Sequence, residues 1–302
     1  MTVKFSCIID EKPKYARQAL LWAASLLTYG QVPADALVVH TVDGCAPEYQ
    51  RVFDSWGIRI EKVRCFDRRH AWSNKLGQLE SEALRRADHV VLCDCDLAFC
   101  GSILPWVSGN AVRAVIAARA WFPFRRWKRI LAAAGLGRVT SAVPSVFGPP
   151  TLAGFCNGGL YVLPQSLFQS LRSVWPKWDR WVLDRRHLFQ PWGFFADQIS
   201  FAMSCQELAL RVEHLPVELN YHTRWRSPRL LRAVLGKSDI FPLVLHYHRE
   251  TDAQGYLLPT KIASVNARIR QINRLLRRFD RGDFNPRQQI SAQPGQPVLN
   301  VR

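Results

Sequence analysis

The sequence lacks any apolar segment long enough to cross a membrane. None of its hydrophobic runs approaches the roughly 18 residues that a spanning helix needs, and the apolar N-terminal stretch is short and ends at Asp10. We therefore expect neither a transmembrane helix nor a signal peptide. Paired Cys-x-x-Cys motifs are also lacking, although the chain has 8 cysteines, mostly within apolar runs. This pattern predicts reduced core cysteines in a cytoplasmic protein.

Acidic residues are scarce relative to basic ones. The 302 residues include 24 Asp and Glu against 41 Lys and Arg, which gives a formal net charge of +17. Such an excess favours anionic partners, and nucleotide phosphates, nucleic acid and anionic lipid are the alternatives. We expect no nucleic-acid partner, because the sequence contains no recognised nucleic-acid-binding module and its aromatic residues are spread through apolar runs, as in a core.

Strand-like and helix-like segments alternate over residues 1–100. Short apolar runs at 3–9, 36–41, 58–64 and 90–93 predict strands, and amphipathic spacing predicts helices between them. The third helix is expected to begin at the capping residues Ser73 and Asn74 and to run to Ala87. This alternation predicts βαβ units, a mainly parallel sheet and a nucleotide-binding half-domain.

The second half of the chain is less regular. Strands are predicted at 111–118, 155–163 and 241–247, and a helix at 165–174 is expected to lead into a Trp-rich loop. A basic, aromatic insertion spans residues 119–150, and an amphipathic helix with an arginine-rich face spans 259–282. Residues 283–302 are rich in Gln and Pro and are predicted to be disordered.

Two carboxylates, Asp94 and Asp96, follow directly after the apolar run Val90–Cys93. Such a run is typical of a strand buried on both faces, and ligands bind at the carboxyl ends of strands in open α/β sheets. A hard divalent cation would most simply offset the repulsion between two carboxylates one residue apart, and such a cation commonly bridges carboxylates to phosphates. The alternative is a turn in which the acids only cap the next segment.

Further motifs follow a recognisable order along residues 3–250. They are Ile8-Ile9-Asp10 with Tyr15, Lys75-Leu76, Asp94-Cys95-Asp96, Asn157-Gly158-Gly159, Asp197-Gln198, and finally His246. The set resembles the nucleotide-sugar glycosyltransferases of the GT-A fold, and most of all the group of glycogenin and the lipopolysaccharide galactosyltransferases. The resemblance implies a GT-A-like, mostly parallel α/β sheet in a single domain over residues 1–258. Residues 1–100 would be its nucleotide-binding half and residues 101–258 its acceptor half.

The resemblance also implies a role for each motif. Mn²⁺, favoured by a mixed oxygen and imidazole shell, or Mg²⁺ would be held by two acids and a histidine. The implied assignments are Ile9, Asp10 and Tyr15 at the nucleobase, Lys75 and His248 at the phosphates, Asp94, Asp96 and His246 at the metal, Asn157, Gly158 and Gly159 under the donor sugar, and Asp197 and Gln198 as catalytic residues.

The implied activity is metal-dependent transfer of a hexose from a nucleotide-diphosphate sugar, with UDP as the expected nucleotide. The acceptor would be a glycan or a lipid-linked saccharide in the synthesis of cell-surface polysaccharide or lipopolysaccharide, and the outcome would be retaining. A divalent cation would neutralise the charge that grows on the leaving diphosphate. The group's pattern is not complete, because Ile199 replaces a second acid and His248-Arg249-Glu250 replaces a Gly and Lys-Pro-Trp segment.

Several of these residues also have an ordinary structural alternative. Tyr15 could fill the core, Lys75 could be solvated, Asn157 could satisfy backbone groups, Asp197 could cap a helix, and His246 could be a hydrogen-bonded core residue. His222 is a reserve metal ligand.

Two other classes of protein remain as alternatives. An Asp-x-Asp motif after a strand also occurs in phosphohydrolases of the haloacid dehalogenase type, but Leu97 and Ala98 replace their Gly-Thr. A non-enzymatic, basic nucleic-acid-binding protein is the second.

The insertion and the C-terminal helix raise the question of membrane contact. Trp, Phe and Arg interleave over residues 121–131, a pattern typical of segments at a membrane interface. For the insertion, two interpretations remain open: peripheral contact with the anionic inner face of a membrane, and plain structural cover. For the helix, packing onto the core with a solvated arginine face is the alternative.

Overall fold

The computed structural model describes residues 1–118, 122–137, 142–146, 148–237 and 239–285. A seven-stranded sheet forms its centre, and one three-stranded and one two-stranded sheet lie beside it. The strands are β1 (Val3–Ile9), β2 (Leu37–Val42), β3 (Arg59–Val63), β4 (His89–Cys93), β5 (Leu97–Phe99), β6 (Val112–Ile116), β7 (Ala142–Val143), β8 (Thr151–Leu152), β9 (Cys156–Pro164), β10 (Val212–His214), β11 (Tyr221–His222) and β12 (Val244–His246).

The central sheet has the order β10-β6-β9-β4-β1-β2-β3. β4, β1, β2 and β3 pair in parallel, as do β10 and β6, whereas β9 runs antiparallel to both of its neighbours. The prediction of an α/β fold with a mostly parallel sheet is therefore confirmed. The predicted strands are present, and their ends differ from the expected ones by up to three residues.

The helices cover both faces of this sheet. They are α1 (Pro13–Ser25), α2 (Pro47–Trp56), α3 (Glu82–Arg85), α4 (Phe124–Ala133), α5 (Gln165–Asp184), α6 (Ala196–Glu207), α7 (Pro228–Leu235) and α8 (Ala263–Asp280). A proline opens α1, α2 and α7, where its missing N–H has no intrahelical partner in any case.

Alternate residues of β4 enter different parts of the core. Val91 and Cys93 pack in the cluster that includes α1 and α8, whereas Val90 and Leu92 pack in the cluster that includes α5. All five residues of the strand are buried. The continuous apolar run thus reflects a strand that is covered on both faces, as the sequence predicts.

The third helix differs from its prediction. Residues Ala71–Glu80 form a 3₁₀ helix, and only the four residues of α3 are α-helical after it. The expected caps, Ser73 and Asn74, lie inside the 3₁₀ segment instead of before it. Asn74 Oδ1 accepts a hydrogen bond of 2.9 Å from the backbone N–H of Phe66. Ser73 donates one of 2.6 Å to Asp179. Both side chains are therefore committed to tertiary contacts instead of capping.

The helix that begins at Gln165 is longer than predicted. It continues through Pro176 to Asp184, so the expected Trp-rich loop is helical. Trp175, Trp178 and Val182 lie on its buried face. Burying such side chains contributes about 1.5–3 kcal/mol each, which outweighs the roughly 3 kcal/mol that an internal proline costs.

The insertion at 119–150 contains α4 and one strand of the β7–β8 hairpin. The apolar residues of its aromatic segment point inward: Phe122, Trp127 and Leu131 are fully buried in a cluster with residues of α5 and α6. Its exposed residues include Arg125, Lys128 and Arg129. The described part of the insertion is therefore structural cover with a basic outer surface.

α8 also packs on the core with its arginines in solvent. Val265, Ile269 and Ile272 are buried against the cluster that includes α1, whereas Arg270, Arg274 and Arg277 are exposed. Among the described residues, no helix combines the length and apolar character needed to span a membrane. The tail predicted to be disordered, 283–302, lies outside the described residues from 286 onward.

The three-stranded sheet brings a distant part of the chain to the end of β4. β5 begins one residue after Asp96, and β12 pairs antiparallel with it so that His246 lies opposite Leu97. β11 pairs in parallel with β12, which places His222 beside His246. This ladder fixes two histidines next to the Asp-x-Asp motif.

Candidate active site

A cleft of about 880 Å³ opens at the carboxyl ends of β1 and β4. Of the residues predicted for the site, all except two glycines line it: Ile9, Asp10, Tyr15, Lys75, Asp94, Asp96, Asn157, Asp197, Gln198, His246 and His248. The structure thus brings together residues from both halves of the chain. The cleft is of the size that holds small-molecule ligands.

Two carboxylates and an imidazole converge on one side of the cleft. His246 Nε2 lies 3.2 Å from Asp96 Oδ1 and 3.8 Å from Asp94 Oδ2. Ligand atoms of these three residues all lie within 4.8 Å of one another, close enough to bind one metal ion. The Asp94 N–H donates a 2.9 Å hydrogen bond to the Gly159 carbonyl, which fixes the loop after β4.

An asparagine that sequence reasoning missed, Asn220, determines which nitrogen of His246 faces the carboxylates. The Gly159 N–H donates to Asn157 Oδ1 at 2.8 Å, so this oxygen is an acceptor. Asn220 Nδ2 donates to the same oxygen at 2.7 Å, and Asn220 Oδ1 therefore lies 2.8 Å from His246 Nδ1. An amide oxygen only accepts, so His246 carries a proton on Nδ1, and in the neutral ring Nε2 offers its lone pair to the cleft.

A second hydrogen-bond chain starts at the same amide. Asn157 Nδ2 donates to His222 Nε2 at 3.2 Å, and His222 Nδ1 lies 2.7 Å from His248 Nε2. With neutral rings, His222 then donates to His248, and the Nδ1–H of His248 faces Asp96 Oδ2 at 3.6 Å. His248 therefore directs an N–H at Asp96, whereas Nε2 of His246 has a free lone pair only when that ring is neutral.

Burial and charge set the ionisation of this cluster. Burial, reinforced by the neighbouring His246, lowers the pKa of His248 to about 4 and that of His222 well below its usual range. Burial alone would raise the pKa of Asp96, but His246 and His248 beside it hold that pKa well below its usual value. Burial raises the pKa of Asp94, although Lys75 beside it opposes that rise. The cluster therefore pairs an ionised Asp96 with neutral His222 and His248.

Lys75 is a buried cation next to this cluster. Its Nζ lies 2.6 Å from Asp94 Oδ1 and 3.3 Å from Asp197 Oδ2, and it donates a 2.6 Å hydrogen bond to the Gly158 carbonyl. Burial opposes the charge, but the carboxylates of Asp94 and Asp197 hold the pKa of the ammonium above its ordinary value. The solvated alternative for Lys75 is excluded, because the residue is 5% exposed.

Asp197 lies in the first turn of α6 but does not cap it. No side-chain capping bond is present at the start of that helix, and the carboxylate turns to Lys75 instead. Its Oδ1 is buried without a hydrogen-bond partner among the described residues. A buried carboxylate oxygen with free acceptor capacity beside the cleft is suited to receive a ligand hydroxyl.

Gly158 and Gly159 do not line the cleft but lie directly behind two of its side chains. A Cβ at Gly158 would lie 2.8 Å from Lys75 Nζ, and one at Gly159 would lie 2.8 Å from His246 Cε1. Both distances are shorter than real contacts allow. These glycines therefore make room for Lys75 and His246, and their contact with a donor sugar stays a prediction.

No protein-family model and no curated protein sequence matches the chain. Solved structures are similar to it at low sequence identity. The galactosyltransferase LgtC, in complex with donor and acceptor sugar analogs, is 13% identical with a TM-score of 0.55, over 89% of this chain and 95% of LgtC. The glycosyltransferase GlyE of Streptococcus pneumoniae TIGR4 is 13% identical with a TM-score of 0.51, over 94% of this chain and 65% of GlyE. The resemblance is thereby confirmed at the level of the fold: the chain has the GT-A-like α/β fold of these glycosyltransferases.

Proposed function

We propose that the protein is a metal-dependent glycosyltransferase that moves a hexose from a nucleotide-diphosphate sugar to a saccharide acceptor. The observation that carries the proposal is the grouping of Asp94, Asp96, His246 and Lys75 in one cleft, at the carboxyl end of β4. The fold supports the same reading. Nothing in the cleft favours a phosphohydrolase or a nucleic-acid binder.

The donor set fits a divalent cation. Asp94, Asp96 and the Nε2 lone pair of His246 would hold it, and two oxygens with one imidazole favour Mn²⁺ over Mg²⁺. When bound, such an ion supplies Lewis-acid stabilisation of the charge on the leaving diphosphate. His248 would act on Asp96 through its N–H and not as a ligand.

The remaining residues would bind and orient the donor. Ile9, Asp10 and Tyr15 line the part of the cleft at the end of β1, where we place the nucleobase. Lys75 would stabilise negative charge on the diphosphate through its own charge, because its three N–H groups already face Asp94, Asp197 and the Gly158 carbonyl. Asp197, with its free Oδ1, and Gln198 would contact the sugar or the acceptor hydroxyl.

The proposal extends to the setting of the reaction. We place the reaction in the cytoplasm, with UDP as nucleotide, a retaining outcome, and a glycan or lipid-linked acceptor in the synthesis of cell-surface polysaccharide. Any contact of α4 with an anionic membrane would be mainly electrostatic, because Trp127, Ile130 and Leu131 are buried and the exposed charged residues of the helix are Arg125, Lys128 and Arg129. Replacing these three by Gln should abolish binding to anionic liposomes at low salt, and unchanged binding would refute the contact.

Calorimetry with UDP-, GDP- and CMP-linked hexoses, with and without Mn²⁺, tests the proposal. We expect one donor class to bind in a metal-dependent manner and Asp96→Asn to lose that binding. Asp54→Asn is the matched control, because Asp54 is exposed on α2 and does not line the cleft. If no donor binds, with or without Mn²⁺, the proposal of a transferase is rejected.

The histidine assignment has a spectroscopic test. Electron spin-echo spectroscopy of bound Mn²⁺ should show one directly coordinated imidazole nitrogen in the wild type. That signal should disappear in His246→Gln and persist in His248→Gln. The reverse pattern would make His248 the ligand.

A further inference from the structure

A group of aromatic side chains lies exposed at one edge of the cleft. Trp72 is 51% exposed and Phe194 is 38% exposed, although both are large apolar residues, and both line the cleft together with Phe195. We call these three residues the aromatic rim. Clustered exposed apolar surface beside a cavity commonly marks a binding site.

The three rings form one continuous wall. The centroids of Trp72 and Phe194 are 5.9 Å apart at 73°, and those of Trp72 and Phe195 are 6.4 Å apart at 34°. Phe194 and Phe195 are themselves 4.2 Å apart. The rings support one another and leave part of their surface open to a ligand.

The rim belongs to the same segments as the polar residues of the site. Trp72 precedes Lys75 by three residues in the 3₁₀ helix, and residues three apart eclipse one another in that conformation. Phe194 and Phe195 directly precede α6, whose first turn carries Asp197. The residues expected at the nucleobase come from other elements, β1 and α1. The rim thus continues the wall that carries Lys75 and Asp197.

A buried hydrogen-bond network holds the rim in place. His70 Nε2 donates to the Phe194 carbonyl at 3.0 Å, which ties the two rim segments together. His70 Nδ1 lies 2.8 Å from Ser73 Oγ, and Ser73 donates to Asp179 at 2.6 Å. Ser200 of α6 donates to the other oxygen of Asp179 at 2.9 Å. Such a network makes the rim a preformed surface.

We propose that the aromatic rim binds a sugar ring of the acceptor by stacking, an inference that rests on the proposed function. One face of a pyranose carries C–H groups with partial positive charge, which match the negative face of an aromatic ring. Its hydroxyl groups need hydrogen-bond partners at the same time. The rim provides the aromatic surface for the C–H groups, and Asp197, Gln198 and Asn74 in the adjoining cleft provide hydrogen-bond partners for the hydroxyl groups. A purely apolar ligand would leave these polar groups without partners.

Saturation-transfer NMR tests the rim with methyl β-lactoside, methyl β-glucoside and methyl α-mannoside as probes. We expect saturation of the ring C–H protons of at least one glycoside by the full-length protein. The double variant Trp72→Ala/Phe194→Ala should bind that glycoside about tenfold more weakly or not at all. Phe241→Ala is the matched control, because Phe241 is 63% exposed and does not line the cleft. It should bind as the wild type does.

Calorimetry with UDP and Mn²⁺ on the same variants separates this inference from the proposed function. UDP should bind the double variant as it binds the wild type. If UDP binds but no glycoside distinguishes the double variant from the wild type, or none binds at all, the rim inference fails alone. If UDP binds neither protein, the proposed function fails. Octyl β-glucoside gives a further arm: saturation confined to its alkyl chain would show a lipid-binding surface and overturn the inference.

Discussion

Lys75 is the residue on which the electrostatics of the cleft depend most. Its ammonium is buried between Asp197, which is also buried, and Asp94, whose side chain is 31% exposed to the cleft. Lys75→Met should therefore leave two carboxylates close together without a counter-charge and lower the free energy of unfolding by about 3–5 kcal/mol. Urea denaturation at pH 7 measures this change.

The matched control is Lys177→Met. Lys177 pairs with Glu207 at 2.7 Å but is half exposed, so its loss should cost less than about 1 kcal/mol. Adding Asp197→Asn to Lys75→Met should restore part of the stability, since the two residues interact directly. Equal stability of the two lysine variants would show that Lys75 is not a buried counter-ion.

Gly158 tests how tightly the lysine is held. A methyl group there would meet Lys75 Nζ at 2.8 Å and Asp197 Oδ2 at 3.0 Å, and the ammonium already contacts three oxygens. Gly158→Ala should displace the ammonium from Asp94, cost about 1–3 kcal/mol of stability and weaken UDP binding. Gly137→Ala is the control, because no atom of the described residues, its chain neighbours apart, lies within 4 Å of its Cβ position. Wild-type UDP affinity in Gly158→Ala would contradict the expectation.

At the scale of elements, the 3₁₀ helix and α5 meet at a buried acid. Burial is the main cause that raises the pKa of Asp179 to about 6, and the charge of Asp197 adds to it. Ser73 and Ser200 each donate a hydrogen bond to one oxygen of Asp179, and these bonds oppose the rise in its pKa without cancelling it.

This acid should make stability depend on pH. The unfolded chain binds its proton below about pH 4 and the folded chain below about pH 6, so the free energy of unfolding should fall as the pH rises from 4 to 6. The loss should be at most about 3 kcal/mol. Asp179→Asn should flatten this part of the curve in urea denaturation at several pH values. An unchanged slope between pH 4 and 6 would place the dependence on other groups.

The same region shows what the sequence could and could not predict. The strands and their order of alternation follow from local apolar runs, and the Asp-x-Asp motif follows one of them directly. The local pattern does not predict the 3₁₀ conformation. Ser73 and Asn74 form hydrogen bonds with distant partners, and Gly77 lies so close to Val63 that a Cβ at Gly77 would be 3.1 Å from Val63 Cγ2. Local spacing alone would favour the α-helix.

The roles of Asn220 and His70 could not be predicted from the sequence for the same reason. The partner that gives each its role is distant in sequence: His246 lies 26 residues from Asn220, and Phe194 lies 124 residues from His70. A lone Asn or His in a loop carries no local signal of such a role. The tautomer of His246 therefore needed the hydrogen-bond geometry, whereas the candidate residues themselves could be predicted from their order along the chain.

At the scale of the whole molecule, the eight cysteines report on the integrity of the core. Six of them are buried, and Cys45 and Cys65 are only partly covered. Burial raises the pKa of Cys93 and of Cys100 to about 12. Because the thiolate is the reactive form, Ellman's reagent should label at most two thiols rapidly in the native protein and all eight in urea. Rapid labelling of a third thiol without urea would show that the core opens more readily than this packing implies.

The pairing of β12 with β5 sets the order in which the site can be completed during synthesis. Asp94 and Asp96 leave the ribosome well before His246, the residue whose strand pairs with the segment after them. Lys75 is already available then, but Asp197 and the histidines are not. A nascent chain that ends before Asp197 would thus hold the acidic pair with Lys75 but without the histidines. The cluster of Asp94, Asp96 and His246 is therefore complete only in the last stage of translation.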